Sequence, residues 1–433
     1  MRQAFRFRSF LLERERFLSL VAAVLLCAAG GAGCARMIPQ WRAPAEVRAP
    51  DAAVAAALGD SYRGATTVFD PSSIPVVPEP TNLRPCCAFG ADLKVAVGAV
   101  PVPGFSLDNI RGPEDIGPHK FNIGLFETAT DEERGLIQRE NNGLVYTCRG
   151  GFIDIAHIRD NADMTVYLSA TLARLLESGG EIKLSDQGGQ RRIVLRKIPR
   201  ERIGGVGRRP MSLAMAQWLA YQISVWHEIA TWYGYATIPT WPEKVSAFSP
   251  EDLYSNLIGI KLASGIVSLR DTGDEADYNR AMNAWMAMAL KRLETVSRQQ
   301  ALDAMRAVDG IWWTSQVRLP DFKLVLRRDF EIGPLVEPWL IEQAYAPARA
   351  PDVGCANAGP ELILRIPSGV EGVRFDEDVT LEIEVSDAVA ANGFPFPRAK
   401  SRTVTPRDFP AIIERIRREH SAELGPLSDQ PQR

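Results

Sequence analysis

Apolar and polar residues alternate at period two in VTLEIEV, residues 379–385, which predicts a strand with one buried face. ELILRI just before it predicts another strand. Strand-like stretches broken by Pro and Gly fill ADLKVAVGAVPVPGF from Ala91, and GLVYTC, ending at Cys148, is a short strand. Residues 178–198 read as a hairpin with DQGGQ as its turn. Between these pieces the spacing becomes helical. Helices are predicted over roughly 152–177, 211–233, 248–264 and 276–295, with one more opened by the capping box S-R-Q-Q at Ser297. A short helix is predicted from Thr130 to Gly143, a strand over 322–328, and a last helix capped by Thr405 with Pro406 in its first turn. The order predicts an α+β fold, a helix-rich central core with small β elements at both ends, and no regular βαβ alternation.

The ends divide the chain further. Arginines crowd residues 1–16, and 17–33 are apolar and small, the layout of a secretory signal. Cys34 follows Gly-Ala-Gly and resembles a bacterial lipobox, with Gly31 where leucine is usual. The expectation is a protein tied to the membrane through lipid on Cys34, with Ala35 favouring the outer membrane. Secretion without lipid and retention by an uncleaved helix are the alternatives. The division predicted is a signal over 1–33, an Ala/Pro-rich tether over 34–80 with a short helix near 50–58, a main domain over 81–350, a C-terminal β segment with its helix over 351–425, and a tail over 426–433. A composition 46% hydrophobic and 24% charged is that of a globular protein, and a net charge of −3 offers no basic surface for nucleic acid. No protein partner is indicated. Cys86, Cys87, Cys148 and Cys355 remain in a compartment where disulfides persist. Bridges from the adjacent pair to Cys148 and Cys355 are compatible with the spacing, and the connectivity stays open.

Candidate chemistry centres on few histidines. His227 and Glu228 give the first two letters of H-E-x-x-H, but Thr231 stands where the closing histidine belongs. Both sit in an apolar helix, where unpaired polar groups are costly. Asp154, His157 and Asp160 are spaced i, i+3, i+6 and share a helix face. A split metal site would use His157, His227 and Asp154 or Asp160, with Glu228 as general base. Two histidines and a carboxylate suit zinc or another divalent ion. Against this stands a plain polar pairing of His227 and Glu228 across a helix interface. Cys148, between a strand and a helix, is the alternative nucleophile, with Arg149 and the Gly150–Gly151 amides to bind an anionic group. A disulfide through Cys148 is the competing expectation. His119, beside Lys120 in a loop, is a further histidine. Asp252 sits at the third position of a helix capped by Ser249, which accounts for it without chemistry, and Asn256 one turn on is a candidate to face the same cleft. His420, in RREHSAE, is expected in solvent.

LRPCCAFG, VPVPGF, GPHKFN, GLVYTCRGGFIDIAHIRD, VWHEIATWYG and FSPEDLYSNLIGIKLA together resemble the bacterial lipoproteins called domain of unknown function 4056, over about residues 80 to 350. The resemblance implies a cell-envelope protein of unassigned activity, carries no catalytic residues, and directs attention to 148–160 and 227–256. The functional expectation is a metal-dependent hydrolase acting on an envelope component. Its alternatives are a non-catalytic binding or scaffold lipoprotein and a cysteine hydrolase using Cys148.

Overall fold

The structure is a computed structural model that describes residues 51–59, 76–98, 100–124, 127–131, 136–238, 241–269, 274–345, 350–398 and 401–425. In chain order its main elements are α1 (Asp51–Leu58), β1 (Leu93–Val97), β2 (Val100–Leu107), β3 (Ala129–Asp131), β4 (Leu136–Gln138), β5 (Leu144–Thr147), β6 (Gly151–Asp154), α2 (Ile155–Leu175), β7 (Gly180–Leu184), β8 (Gly189–Leu195), α3 (Arg200–Val206), α4 (Arg208–Trp232), α5 (Asp252–Leu269), α6 (Glu275–Arg292), α7 (Arg298–Ala307), β9 (Val379–Val385), β10 (Thr403–Val404) and α8 (Phe409–Leu424). This is the expected α+β fold.

Helices α2, α4 and α5 pack on one another at the centre. Gly259 lets α5 approach α2 closely, because a Cβ there would stand 2.0 Å from the Ile158 carbonyl oxygen. That contact lies one residue from His157 and brings the start of α5 beside it. Gly259→Ala is expected to destabilise the fold by about 1–3 kcal/mol, since backbone and not a flexible side chain must move. Urea denaturation checks this, and an unchanged midpoint would contradict it.

The β7–β8 hairpin and the C-terminal strand form one antiparallel sheet in the order β10-β9-β8-β7, with Val379 opposite Leu195 and Val385 opposite Gly189. The period-two pattern holds: Val379, Leu381, Ile383 and Val385 are buried. The β5–β6 hairpin separates two apolar clusters. Val145 and Ile153 face the helical core, while Leu144, Tyr146 and Phe152 join a second cluster with Phe89, Trp312 and Trp313.

Several expectations are corrected. Residues 151–154 are strand and α2 starts at Ile155, because Phe152 and Ile153 bury on opposite sides of the hairpin. The predicted helix over 130–143 is the β3–β4 pair. Gly135 sits at the middle of that stretch, where glycine costs a helix about 1 kcal/mol relative to alanine. At 322–328 a 3-10 turn stands in place of a strand, opened by Asp321, whose side chain accepts from the Lys323 amide. The helix anticipated near 50–58 forms, but it is no free tether: Val54, Ala57 and Leu58 are buried in the helical core. His420 is buried against Trp232 and Phe330, with Nε2 3.2 Å from the Leu326 carbonyl oxygen. The predicted signal, Cys34 and the tail lie outside the described residues. Among the described residues no helix is long and apolar enough to cross a membrane.

Candidate functional site

The segment 76–88 has neither helix nor strand, yet Cys86 is fixed from both sides. The Arg84 amide donates to Asp160 Oδ2 at 3.0 Å, and the Cys87 amide donates to Asp154 Oδ2 at 3.2 Å. Asp154 also caps α2 through the Ala156 amide. The face shared by Asp154, His157 and Asp160 therefore holds the main chain at its ends and offers an imidazole between them. His157 Nε2 is 3.4 Å from Cys86 Sγ, and His227 Nε2, from α4, is 3.5 Å from the same sulfur. Behind His157, Nδ1 stands 3.5 Å from Asp252 Oδ1, within ion-pair reach but beyond a formed hydrogen bond, and Nδ1 has no hydrogen-bond partner among the described residues. His157 and Asp252 are buried, whereas Cys86 and His227 are half-buried.

Asp252 does what its capping position predicts and more. Its Oδ2 accepts from the Ser249 amide at 2.6 Å, and its Oδ1 is the oxygen that faces His157 Nδ1 at 3.5 Å. The reciprocal cap is missing, because the Ser249 hydroxyl donates to the Ser246 carbonyl. Glu228 accepts from the Phe248 amide at 2.9 Å. Burial raises the Glu228 carboxyl, and burial with neighbouring carboxylates raises Glu251 and Asp252 well above the usual range. Burial, then Glu243, Glu228, Asp252 and Asp154, push the Cys86 thiol up. Burial, then His157 and Arg191, bring His227 down to about 3, so that ring is neutral near pH 7. Cys86 is thus a thiol at rest, and any attack by it needs a base to take the proton.

A carboxyl raised on folding contributes its full stability below the unfolded value near 4.3 and loses it as pH rises, by about 1.4 kcal/mol per unit until the folded value is reached. Neither oxygen of Glu251 has a hydrogen-bond donor among the described residues. Glu251→Gln is therefore expected to match the parent in stability near pH 4 and exceed it near pH 7 by about 1–3 kcal/mol. Denaturation at both pH values checks this, and a difference that does not change with pH would contradict it.

The remaining predicted residues lie elsewhere or act otherwise. Asp160 joins a second buried cluster, in which Arg84 Nη1 is 2.6 Å from Asp160 and 3.2 Å from Asp163, and Arg84 Nη2 donates to Glu140 at 2.7 Å. His119 is buried there, Nε2 3.1 Å from Asp163 and Nδ1 3.6 Å from Glu140. Arg159 turns to the Glu140 carbonyl and Asn142. Asn256 accepts from Asn161 at 2.6 Å, and Asn161 donates to the His157 carbonyl. Cys148 is bonded to Cys355, and a disulfide sulfur is no thiolate, so the nucleophile expected there is corrected. Arg149 donates to the carbonyls of Pro360 and Arg292, and the Gly150 amide to Thr147 Oγ1, so these groups are engaged by the fold. Cys86 was missed as a site residue. The available signal was the pairing itself: once Cys148 bonds Cys355, two adjacent cysteines remain free. Among the described residues no three His, Cys, Asp or Glu side chains are grouped as a metal site.

No curated protein and no solved structure matches the chain. The family model described as Protein of unknown function (DUF4056) matches residues 74–342, a span that contains Cys86, His157, His227 and Asp252, and the chain belongs to that family.

Proposed function

We propose that the protein is a cysteine-dependent acyl hydrolase of the cell envelope, with Cys86 as nucleophile, His157 as general base and Asp252 orienting the imidazole. The observation that carries this is the line Cys86 Sγ, His157 Nε2, His157 Nδ1, Asp252 Oδ1, with separations of 3.4 and 3.5 Å. Nucleophile, base and orienting group follow one another as acyl transfer requires, and such contacts are often long before substrate binds. The sulfur attacks an acyl carbon as His157 takes the thiol proton. The leaving group departs with that proton and a thioester remains. Water, deprotonated by the imidazole, then releases the acid and restores the thiol. His227 flanks the sulfur as a second neutral imidazole. The basic and apolar leader supports the envelope as the place of action, as does the Cys148–Cys355 disulfide. Lipid on Cys34 would tether the domain there.

p-Nitrophenyl acetate tests the reaction class without a known substrate. Catalysed release of p-nitrophenolate is expected, and Cys86→Ala should abolish it. Equal release by that variant would defeat the proposal.

A further inference from the structure

The β1–β2 hairpin leaves an apolar surface uncovered. Residues 95–107 carry no charged side chain, and Ser106 is their one polar residue. Lys94 and Asp108 bound the stretch. Its first part is held by the fold: the Ala96 amide donates to the Leu319 carbonyl, the Leu319 amide donates to the Lys94 carbonyl, and Val95 is buried. Its second part is open. Val100 is 61% exposed and Phe105 50%, with Pro101, Pro103 and Gly104 exposed between them. Single exposed apolar residues are ordinary, but a contiguous run marks a surface that meets something. Among the described residues β2 is also the open edge of its two-stranded sheet. Pro101 and Pro103 take two N–H donors from it, which blunts it as a template for a further strand. Without charge, the surface offers a protein partner little to specify it. The covalent chain brings a bilayer within range. Asp51 opens α1 and pairs with Arg292 at 2.7 Å. Arg298 pairs with Asp108 and donates to the Ile110 carbonyl at 3.2 Å, at the base of the hairpin. The stretch 292–298 that joins these two points covers at most about 20 Å. From Cys34 to Asp51 the chain reaches at most about 60 Å. Lipid on Cys34 would therefore keep the hairpin within reach of the bilayer.

We propose that the β1–β2 hairpin docks on the lipid bilayer, with Val100 and Phe105 entering the headgroup region and Lys94 and Asp108 staying in water. This rests on the envelope reading above and extends it from a tether to a held orientation of the domain. Docking is shallow. The backbone groups on the open edge of β2 have no partners in hydrocarbon, so the strand stays where water and headgroups reach it. Apolar side chains leave water at that depth without any segment crossing the membrane.

Photo-cross-linking of the full-length protein in phosphatidylcholine vesicles tests the docking. The probe is a phosphatidylcholine with a diazirine near its acyl carbonyl. On illumination the diazirine loses N2, and the carbene inserts into a neighbouring C–H bond. Cross-links are expected in the tryptic peptide 95–111. Val100→Asp combined with Phe105→Asp should lower them at least about fivefold. The thermal midpoint should stay unchanged, because both side chains are exposed. Cross-links confined to residues before Asp51, or equal in the double variant, would overturn the proposal. So would a dimer that the double variant abolishes, since a second copy would then cover the surface. The mass of the N-terminal peptide separately shows whether Cys34 carries lipid. Hairpin cross-links without that lipid would remove the tether reading and keep the docking, and lipid without hairpin cross-links would do the reverse. Cys86→Ala should leave the cross-links unchanged, so the hydrolase reading stands or falls on its own.

Discussion

His157→Ala is expected to slow acylation of Cys86 by about 10²–10⁴-fold, the range for removing a positioned general base. The effect should be large because the thiol does not ionise by itself. Burial and the surrounding carboxylates hold its proton on, so attack at neutral pH depends on the imidazole 3.4 Å away. Asp252→Asn should cost less, since Asp252 touches the ring and not the sulfur. His227→Ala separates the two imidazoles: with His157 as the base, its loss slows acylation less than the loss of His157. Stopped-flow release of p-nitrophenolate ranks the three variants. A His227→Ala effect equal to that of His157→Ala would assign the proton transfer to the pair rather than to His157.

Arg84→Met should produce the largest loss of stability, about 3–5 kcal/mol, because it strips the counter-charge from buried carboxylates. Glu140, Asp160 and Asp163 all pair with this one guanidinium. Burial pushes the Glu140 carboxyl up, but Arg84 and then Arg159 outweigh it and hold it well below the usual range. A carboxyl lowered on folding gives stability that is present above the unfolded value and lost as pH falls. The Arg84→Met deficit is therefore expected to be greater at pH 7 than near pH 3. Denaturation at the two pH values measures it, and an equal deficit would show that packing, not charge, sustains the cluster. Acylation should also fall in the variant, because Arg84 anchors the segment two residues before the sulfur.

Local pattern carried much of the fold. The alternation in 379–385, the turn at 186–190 and the capping box at Ser297 each depend on neighbours within a few residues, and each forms as read. His420 could have been read correctly. It continues the buried stripe Phe409, Ile412, Ile413 and Ile416 at helical spacing, and the surrounding charges obscured that. The site itself was only half legible. Helical spacing put Asp154, His157 and Asp160 on one face, but not what that face would meet. The sulfur between the imidazoles is 71 residues from His157 and 141 from His227, in a segment with no periodicity of its own. A capping role accounts for Asp252 in the sequence, and only the fold shows what meets its second carboxylate oxygen.

The most direct test of the central claim is to find where an acyl group rests. Protein quenched in acid after brief exposure to p-nitrophenyl acetate, then mapped by tandem mass spectrometry, should carry the acetyl group on Cys86 as a hydroxylamine-sensitive thioester. It should be depleted in His157→Ala. An acetyl group found on other residues alone, with Cys86 unmodified while p-nitrophenolate is still released, would contradict the assignment of Cys86 as the nucleophile.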